Sequence, residues 1–259
     1  FEDYDKVKDV KVQLWSSNAQ LEKKGWNAVT LKDALKKSVI KNKSYAWALS
    51  LAQEFVSKLG IPADRVRYRQ HHPDEKAFYS NDTWDLEFRT DTFGWIEIAG
   101  ISDRNDYDLT QHSKSSGQKL NISGETPHII ELAFGSDRIV YTLLDVFLDE
   151  EKVGKDMRVI WRIPKELAPV RFAVFPLQNK DGLPEKARDV YEALSKNYRC
   201  LLDVSGSIGK RYRRQDERGT PHCITVDYDT LKDDTVTLRD RDTMEQKRIK
   251  INDLKKVDV

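Results

Sequence analysis

The sequence has no long apolar run, little cysteine and almost no net charge, and each shortage excludes something. Its apolar stretches fall far short of the roughly 18–20 residues that a membrane-spanning helix needs, and no basic-then-apolar signal segment opens it. Two cysteines, Cys200 and Cys223, lie far apart and form no C-x-x-C unit. That usage fits buried thiols in a reducing compartment, not a disulfide scaffold. The 44 basic and 43 acidic residues leave a formal charge of +1. Any nucleic-acid binding must therefore come from local clustering. The five histidines, His71, His72, His112, His128 and His222, show no metal-ligand spacing, which argues against a zinc site. His71 and His72 are read as facing opposite sides of a strand. No internal repeat or low-complexity tract is present.

What is present is a strongly charged chain of 259 residues, with mean hydropathy −0.68. That length suits one large domain or two ordinary ones. It opens on Phe1 instead of Met, which suggests processing or a piece of a longer protein. "VKDVKVQL" (7–14) reads as a strand. Thr30 with Asp33 three positions on resembles a capping box at a helix start. Ser44 to Leu59 places Tyr45, Ala48, Leu49, Ala52, Phe55, Val56 and Leu59 on one helical face, and Gly60 and Pro62 end it.

The period then changes. "VRYRQ" (66–70) alternates, and "TWDLEFRT" (83–90) puts Trp84, Leu86 and Phe88 on one side. Asp85, Glu87 and Arg89 take the other, which reads as a solvated face. "WIEIAGI" (95–101) returns after a short turn, an antiparallel hairpin. "PHIIELA" (127–133) is a third strand and 136–148 a helix. Half-buried antiparallel strands backed by helices indicate an α+β unit. "RIPKELAPV" (162–170), bracketed by prolines, reads as a linker. Beyond it, strand–helix–strand–helix–strand and two further strands indicate a layered α/β unit of about 90 residues, an ordinary small-domain size. The expected limits are 1–75, 76–165 and 166–259.

Three segments carry candidate chemistry. In "PHIIELAFGSDRIVY" (127–141), Arg138 falls in the first helical turn, where a positive charge opposes the helix dipole at about 0.3–1 kcal/mol. It is either a surface arginine paired with Asp137 or Asp145, or part of an anion site. In the second case the helix N-terminus, a close backbone approach at Gly135 and the guanidinium fork converge on phosphate. In "GWIEIAGISDRNDYDLTQH" (94–112), Glu97 shares a face with Trp95 and Ala99, either as strand-edge solvation or as a site residue. Asp103, Arg104, Asp106 and Asp108 follow the strand, where side chains often converge on a site. Arg104 is alternatively the centre of a surface ion-pair cluster. In "SGSIGKRYRRQDERG" (205–219), five basic residues fall between 210 and 218 against two acidic ones, with Tyr212 among them and Ser207 as a plausible cap. Such a run is either a solvated face or an RNA contact.

Together, "TWDLEF…GWIEIAGISDRNDYDLTQH…PHIIELAFGSDRI" resembles the latter part of the catalytic domain of glycyl-tRNA synthetase, a class II aminoacyl-tRNA synthetase of archaeal or eukaryotic type. "LAPVRFAVFPLQNKDGLPEKARDVYEAL…DVSGSIGKRYRRQDERGTPHCITVDYDT…TVTLRDRDTMEQ" resembles that family's anticodon-binding domain. The resemblance implies part of an α+β antiparallel-sheet class II catalytic core, followed by an anticodon-binding domain with a mixed five-stranded sheet. It implies ATP-dependent activation of glycine and transfer to tRNA(Gly), with ATP and Mg2+ as cofactors. A cytoplasmic location and a homodimer for the full-length protein go with it, and no membrane partner. The reaction needs no protein nucleophile, only positioning and charge neutralisation.

By that resemblance, Arg138 contacts an ATP phosphate and Glu97, with Ile98 behind it, holds ATP and its Mg2+. Gly135 adds backbone to the ATP site. Arg104 takes the glycine carboxylate, and Glu131 faces the glycine amino group beside Leu132 and Ala133. Arg138 and Glu131 are the expected catalytic residues. Arg211, Arg214 and Asp216 are the expected tRNA contacts. The chain departs from the family in two ways. Glu131-Leu132-Ala133-Phe134-Gly135 stands where the family usually reads E-P-S-F-G, which removes a serine hydroxyl at Ala133. Neither motif 1 nor motif 2 is found, so the chain resembles a C-terminal half that would be inactive alone. A non-catalytic, synthetase-like tRNA-binding or accessory protein is the alternative.

Overall fold

A computed structural model of the chain describes residues 3–257. The ends of the expected domain limits, 1–2 and 258–259, lie outside the described residues. The chain forms two compact units, Phe1–Val146 and Phe147–Val259.

The first unit runs α1 (Tyr4–Val7), β1 (Lys11–Trp15), α2 (Ser17–Leu21), β2 (Asn27–Thr30), α3 (Leu31–Lys36) and α4 (Lys43–Leu59). It continues through β3 (Val66–Gln70), β4 (Asp82–Thr90), β5 (Gly94–Asp103), α5 (Tyr107–Ser116), β6 (Ile130–Phe134) and α6 (Ser136–Phe147). The expected cap is formed: Thr30 accepts from the Asp33 N–H at 3.1 Å and donates to its carboxylate at 2.9 Å. Asn42 caps α4 by accepting from the Tyr45 N–H at 2.8 Å, and Gly60 ends it with a left-handed φ of 70°, which glycine adopts without steric cost. Six of the seven residues expected on the apolar face of α4 are buried. The seventh, Phe55, is half-buried and meets Phe134 edge-on with centroids 5.0 Å apart.

The six-stranded sheet has the order β2-β1-β3-β4-β5-β6. Its pairs are antiparallel except β1 with β3, which is parallel. Leu14, Tyr68, Trp84, Leu86, Phe88 and Ile101 form the buried side, and α4 packs there through the Tyr45 hydroxyl, which donates to the Ile101 carbonyl.

The opposite face corrects two expectations. Asp85 and Glu87 are not solvated; they are 6 % and 8 % exposed. Register places Arg67 beside Glu87 and Arg69 beside Asp85, so two carboxylates are covered by their partners. The second correction concerns Glu97. A bulge pairs Glu87 with Glu97 but Leu86 with Ala99, leaving Ile98 as the extra residue. Glu97 therefore shares the polar face with Trp95, while Ala99 turns to the apolar side.

The second unit begins with a hairpin, β7 (Leu148–Val153) and β8 (Asp156–Trp161). It continues with β9 (Phe172–Pro176), α7 (Leu183–Ser195), β10 (Cys200–Leu202), α8 (Ile208–Glu217), β11 (His222–Val226), α9 (Thr230–Asp233), β12 (Thr235–Asp240) and β13 (Gln246–Lys250). The unit thus starts before the proline-bracketed segment, because β8 packs on α8 through Arg158, whose Nε donates to Asp216 at 2.8 Å. The five strands order as β10-β9-β11-β12-β13. β10, β9 and β11 are parallel, and β12 and β13 antiparallel. This is the mixed five-stranded sheet expected. Its core joins Phe172, Val174, Ile224 and Val226 to Leu183, Ala187, Val190 and Leu194 of α7. Ser207 stands at the N-cap of α8, but its side chain makes no capping bond.

Candidate active site

The polar face of β4, β5 and β6 gathers most of the residues singled out in the first unit. Ser102 is registered opposite Glu131, and Gly100 opposite Ala133. A Cβ on Gly100 would stand 3.9 Å from the Glu97 carboxylate. The centre of the patch is therefore floored by small residues and ringed by charge.

Arg104 leaves the end of β5 and is held on three sides. Its Nε and one terminal nitrogen donate to Asp108 at 2.6 and 2.8 Å, and the other donates to Glu131 at 2.8 Å. The guanidinium lies 4.4 Å from the Tyr79 ring centroid, and Tyr79 stacks on Tyr107. Hydrogen bonding to Asp108 pushes the arginine up from its ordinary pKa and holds the Asp108 carboxyl below its own. The geometry is that of the ion-pair cluster, which Arg104 centres and which joins it to Glu131.

Arg138 is paired, but not with the acids nearest in sequence. It meets the Glu97 carboxylate at 3.2 Å and donates to the Glu97 carbonyl at 2.9 Å. Asp145 instead accepts from the Asp91 and Thr92 N–H groups in the β4–β5 turn. The misplaced charge at the start of α6 is thus neutralised from β5. Side-chain exposures of 56 % and 47 % keep this pair in water, where it contributes about 0–1 kcal/mol. Phe93, Ile96, Glu97, Asp137, Arg138 and Tyr141 line an open concavity of about 510 Å³.

Several expected contacts are placed elsewhere. Ile98 is 1 % exposed and cannot touch a nucleotide with its side chain. Its carbonyl accepts from the Gly135 N–H at 2.8 Å, so it anchors the entry to α6. That bond also removes the Gly135 N–H from any anion. A Cβ on Gly135 would make only ordinary contact, with Arg138 at 3.4 Å and the Ile98 carbonyl at 3.5 Å. Leu132 is registered with buried Ile101, which turns it to the apolar face, away from Glu131 and Ala133. Asp103 is buried and accepts from Asn42; it ties β5 to the cap of α4.

In the second unit, Arg211 and Asp216 are 2 % and 0 % exposed. Neither can meet tRNA directly there, and the solvated part of the basic run is confined to its other basic side chains. Arg211 donates to the carbonyls of Pro176, Val204 and Gly206, and Asp216 accepts from Arg158 and Arg239. Arg214 is half-buried and bonded to Asp203 at 2.7 Å. The basic side chains of this run that remain exposed are Lys210 and Arg218.

One cluster escaped the sequence reading. Arg67 lies 4.2, 5.0 and 4.1 Å from the ring centroids of Trp15, Trp26 and Trp95, and donates to Glu87 at 2.6 Å. Arg69 reaches Asp85 and Glu75, and His71 bonds Asp85 at 2.8 Å. That bond to Asp85 raises the His71 pKa. The signal was the basic alternation of "VRYRQ" set against the acidic alternation of "TWDLEFRT". Among the described residues no group of three or more His, Cys, Asp or Glu is placed to hold a metal ion, and no helix is long and apolar enough to cross a membrane.

Residues 171–257 match the family model described as "Anticodon binding domain", which assigns the second unit its class. Glycine–tRNA ligase of Clostridium beijerinckii is 45 % identical over 219 residues, covering 82 % of this chain and 45 % of that protein. Glycine–tRNA ligase of Borrelia hermsii is 46 % identical over 219 residues, covering 81 % and 49 %. Glycine–tRNA ligase of Methanothrix thermoacetophila is 35 % identical over 327 residues, covering 95 % and 56 %. The chain belongs to the glycine–tRNA ligase family. It spans about half the length of the curated relatives it matches.

Proposed function

We propose that this chain supplies the glycine-binding face and the anticodon-binding domain of a glycine–tRNA ligase. Such an enzyme activates glycine with ATP and transfers it to tRNA(Gly). The observation that carries this is the joining of Arg104 and Glu131 across β5 and β6 beside the small floor of Gly100 and Ala133. An arginine and an acid around a space without side chains complement a zwitterion with no side chain of its own. Arg104 orients the carboxylate by a fork of hydrogen bonds, and Glu131 orients the ammonium.

Glu97 and Arg138 then serve ATP. Arg138 exchanges Glu97 for a phosphate oxygen and neutralises charge that develops as pyrophosphate leaves. Glu97 so released is a single exposed carboxylate, which suits Mg2+ arriving with the nucleotide, because that ion is held by one or two carboxylates plus phosphates. The first unit is on this reading part of a class II core, in a cytoplasmic protein that functions as a homodimer. The second unit reads the anticodon through outward side chains such as Lys210 and Arg218.

Glycine-dependent ATP–pyrophosphate exchange by the full-length protein tests the reading. Exchange with glycine and not with alanine is expected. No exchange, with tRNA(Gly) still bound, would replace it by a non-catalytic tRNA-binding role.

A further inference from the structure

A chain of three hydroxyls crosses the polar face beside Glu131. Ser80 Oγ lies 2.8 Å from the Asp82 carbonyl and 3.1 Å from the Asp103 carbonyl. It also lies 2.9 Å from Thr83 Oγ1, which in turn lies 3.2 Å from Ser102 Oγ. Ser80 and Thr83 are 6 % and 7 % exposed, and Ser102 at the open end is only half-buried.

The direction of this chain follows from counting protons. A hydroxyl has one proton to donate, and a carbonyl oxygen only accepts. Ser80 faces two carbonyls, so its proton points to them and it accepts from Thr83. The Thr83 proton is thereby committed, and Thr83 must accept from Ser102. Ser102 is left presenting lone pairs and no proton to the open face. A serine polarised in this way selects a donor, and a charged donor above a neutral one.

The neighbours of Ser102 identify that donor. Glu131 stands directly across the strand pair and Ala133 diagonally across it, neighbours within about 8 Å on an antiparallel pair. Ser102 and Glu131 are two acceptors side by side, and Arg104 supplies donors two residues further along the same chain. This is the complement of an α-amino acid zwitterion. Ala133 lacks the hydroxyl that its position carries in the usual motif, and Ser102 offers one from the adjoining strand.

We infer that Ser102 accepts a hydrogen bond from the α-ammonium of the substrate glycine, with Thr83 and Ser80 as positioning residues that keep its lone pairs turned outward. The inference rests on the ligase reading above and goes beyond it by assigning a substrate-binding contact to a strand outside the motif around Glu131.

The test is the glycine dependence of pyrophosphate exchange in the full-length protein, comparing wild type, Ser102→Ala and the double variant Ser102→Ala with Ala133→Ser. Loss of a hydrogen bond to a charged group predicts a KM for glycine raised about ten- to a hundredfold, with the KM for ATP unmoved. Moving the hydroxyl back to position 133 should return the glycine KM toward wild type, a rescue that a merely structural serine would not show. Wild-type exchange with a glycine KM unchanged by Ser102→Ala leaves the ligase reading standing and overturns this assignment. A rise in both KM values without rescue overturns it as well. Wild type without exchange fails the ligase reading itself, and the assignment falls with it.

Discussion

Arg104 and Arg138 of the first unit and four buried arginines of the second are held in opposite ways. Arg104 and Arg138, on the sheet face and helix start of the first unit, pair with carboxylates that water also reaches. Arg158, Arg211, Arg239 and Arg241 in the second unit are all at most 5 % exposed. Arg158 donates to Asp216, Glu151 and the Arg241 carbonyl. Arg239 lies bidentate on Asp216 over the Tyr212 ring, and Arg241 donates to the carbonyls of Ile163 and Gly219. An exposed pair costs little to open, so its arginine can change partners for a ligand. A buried one cannot release its partner without leaving a charge unpaired in low dielectric. The same residue type is thus free to exchange partners where its pair is exposed and fixed where it is buried, and Arg67 of the first unit, buried on Glu87, belongs with the fixed set.

The largest effect that tests this contrast belongs to Asp216, the acid shared by Arg158 and Arg239. Asp216→Ala strands the buried Arg239 guanidinium and takes one of two carboxylates from Arg158, and should destabilise the second unit by about 3–5 kcal/mol, read by urea denaturation. A loss below about 1 kcal/mol, the scale of an exposed pair, would erase the distinction between the units.

His222 gives a second measure of how dry the second unit is. It stacks on Phe172 with centroids 5.6 Å apart, and neither ring nitrogen has a partner. Burial, reinforced by Lys165 and Arg171 and opposed by Asp240, holds its pKa down at about 4. The unfolded chain, at about 6.5, binds the proton first as pH falls. The neutral histidine therefore contributes its full stability above about pH 6.5, and that contribution is lost progressively towards pH 4. The total is on the order of 3 kcal/mol. Stability of the second unit measured from pH 7 to 4.5 should show this slope, and His222→Phe should flatten it. A slope surviving the substitution would place the acid sensitivity on other groups.

How much of this was legible depended on how local each cause is. α4 and its stop at Gly60 follow from a 3.6-residue period and a helix-ending glycine, whereas the N-cap Asn42 lies two residues ahead of the expected start at Ser44 and carries no mark in that period. The five-stranded sheet follows from element order. The bulge at Ile98 does not, because one extra residue in a strand carries no compositional mark, yet it decides that Glu97 and not Ala99 faces Arg138. Burial of Asp85 and Glu87 depends on strand register with Arg69 and Arg67, which sequence alternation suggests only when the two strands are known to pair. α8 reversed the usual rule: its basic run resembles a solvated face, and its inward side is Arg211, Gln215 and Asp216. Charge patterns could not distinguish that from an RNA contact, because burial of arginine is set by carbonyls and acids distant in sequence. In the candidate site, Arg104 and Glu131 were each recognisable, but their contact spans 27 positions.

The smallest expected effect on stability, and the sharpest on function, is at Arg138. Its bonds to Glu97 are exposed, so Arg138→Ala should cost less than about 1 kcal/mol of stability. Part of even that loss should be offset, because removing a cation from the first turn of α6 relieves the helix dipole. If the arginine is there to exchange Glu97 for a phosphate, the same variant of the full-length protein should raise the KM for ATP and lower kcat while the KM for glycine stays near wild type. A stability loss of several kcal/mol would instead make Arg138 a structural residue like those of the second unit. An unmoved ATP profile with unchanged stability would leave the Glu97 pair without a function. Only the combination of near-native stability and impaired ATP use preserves the contrast between arginines that can change partners and arginines that cannot.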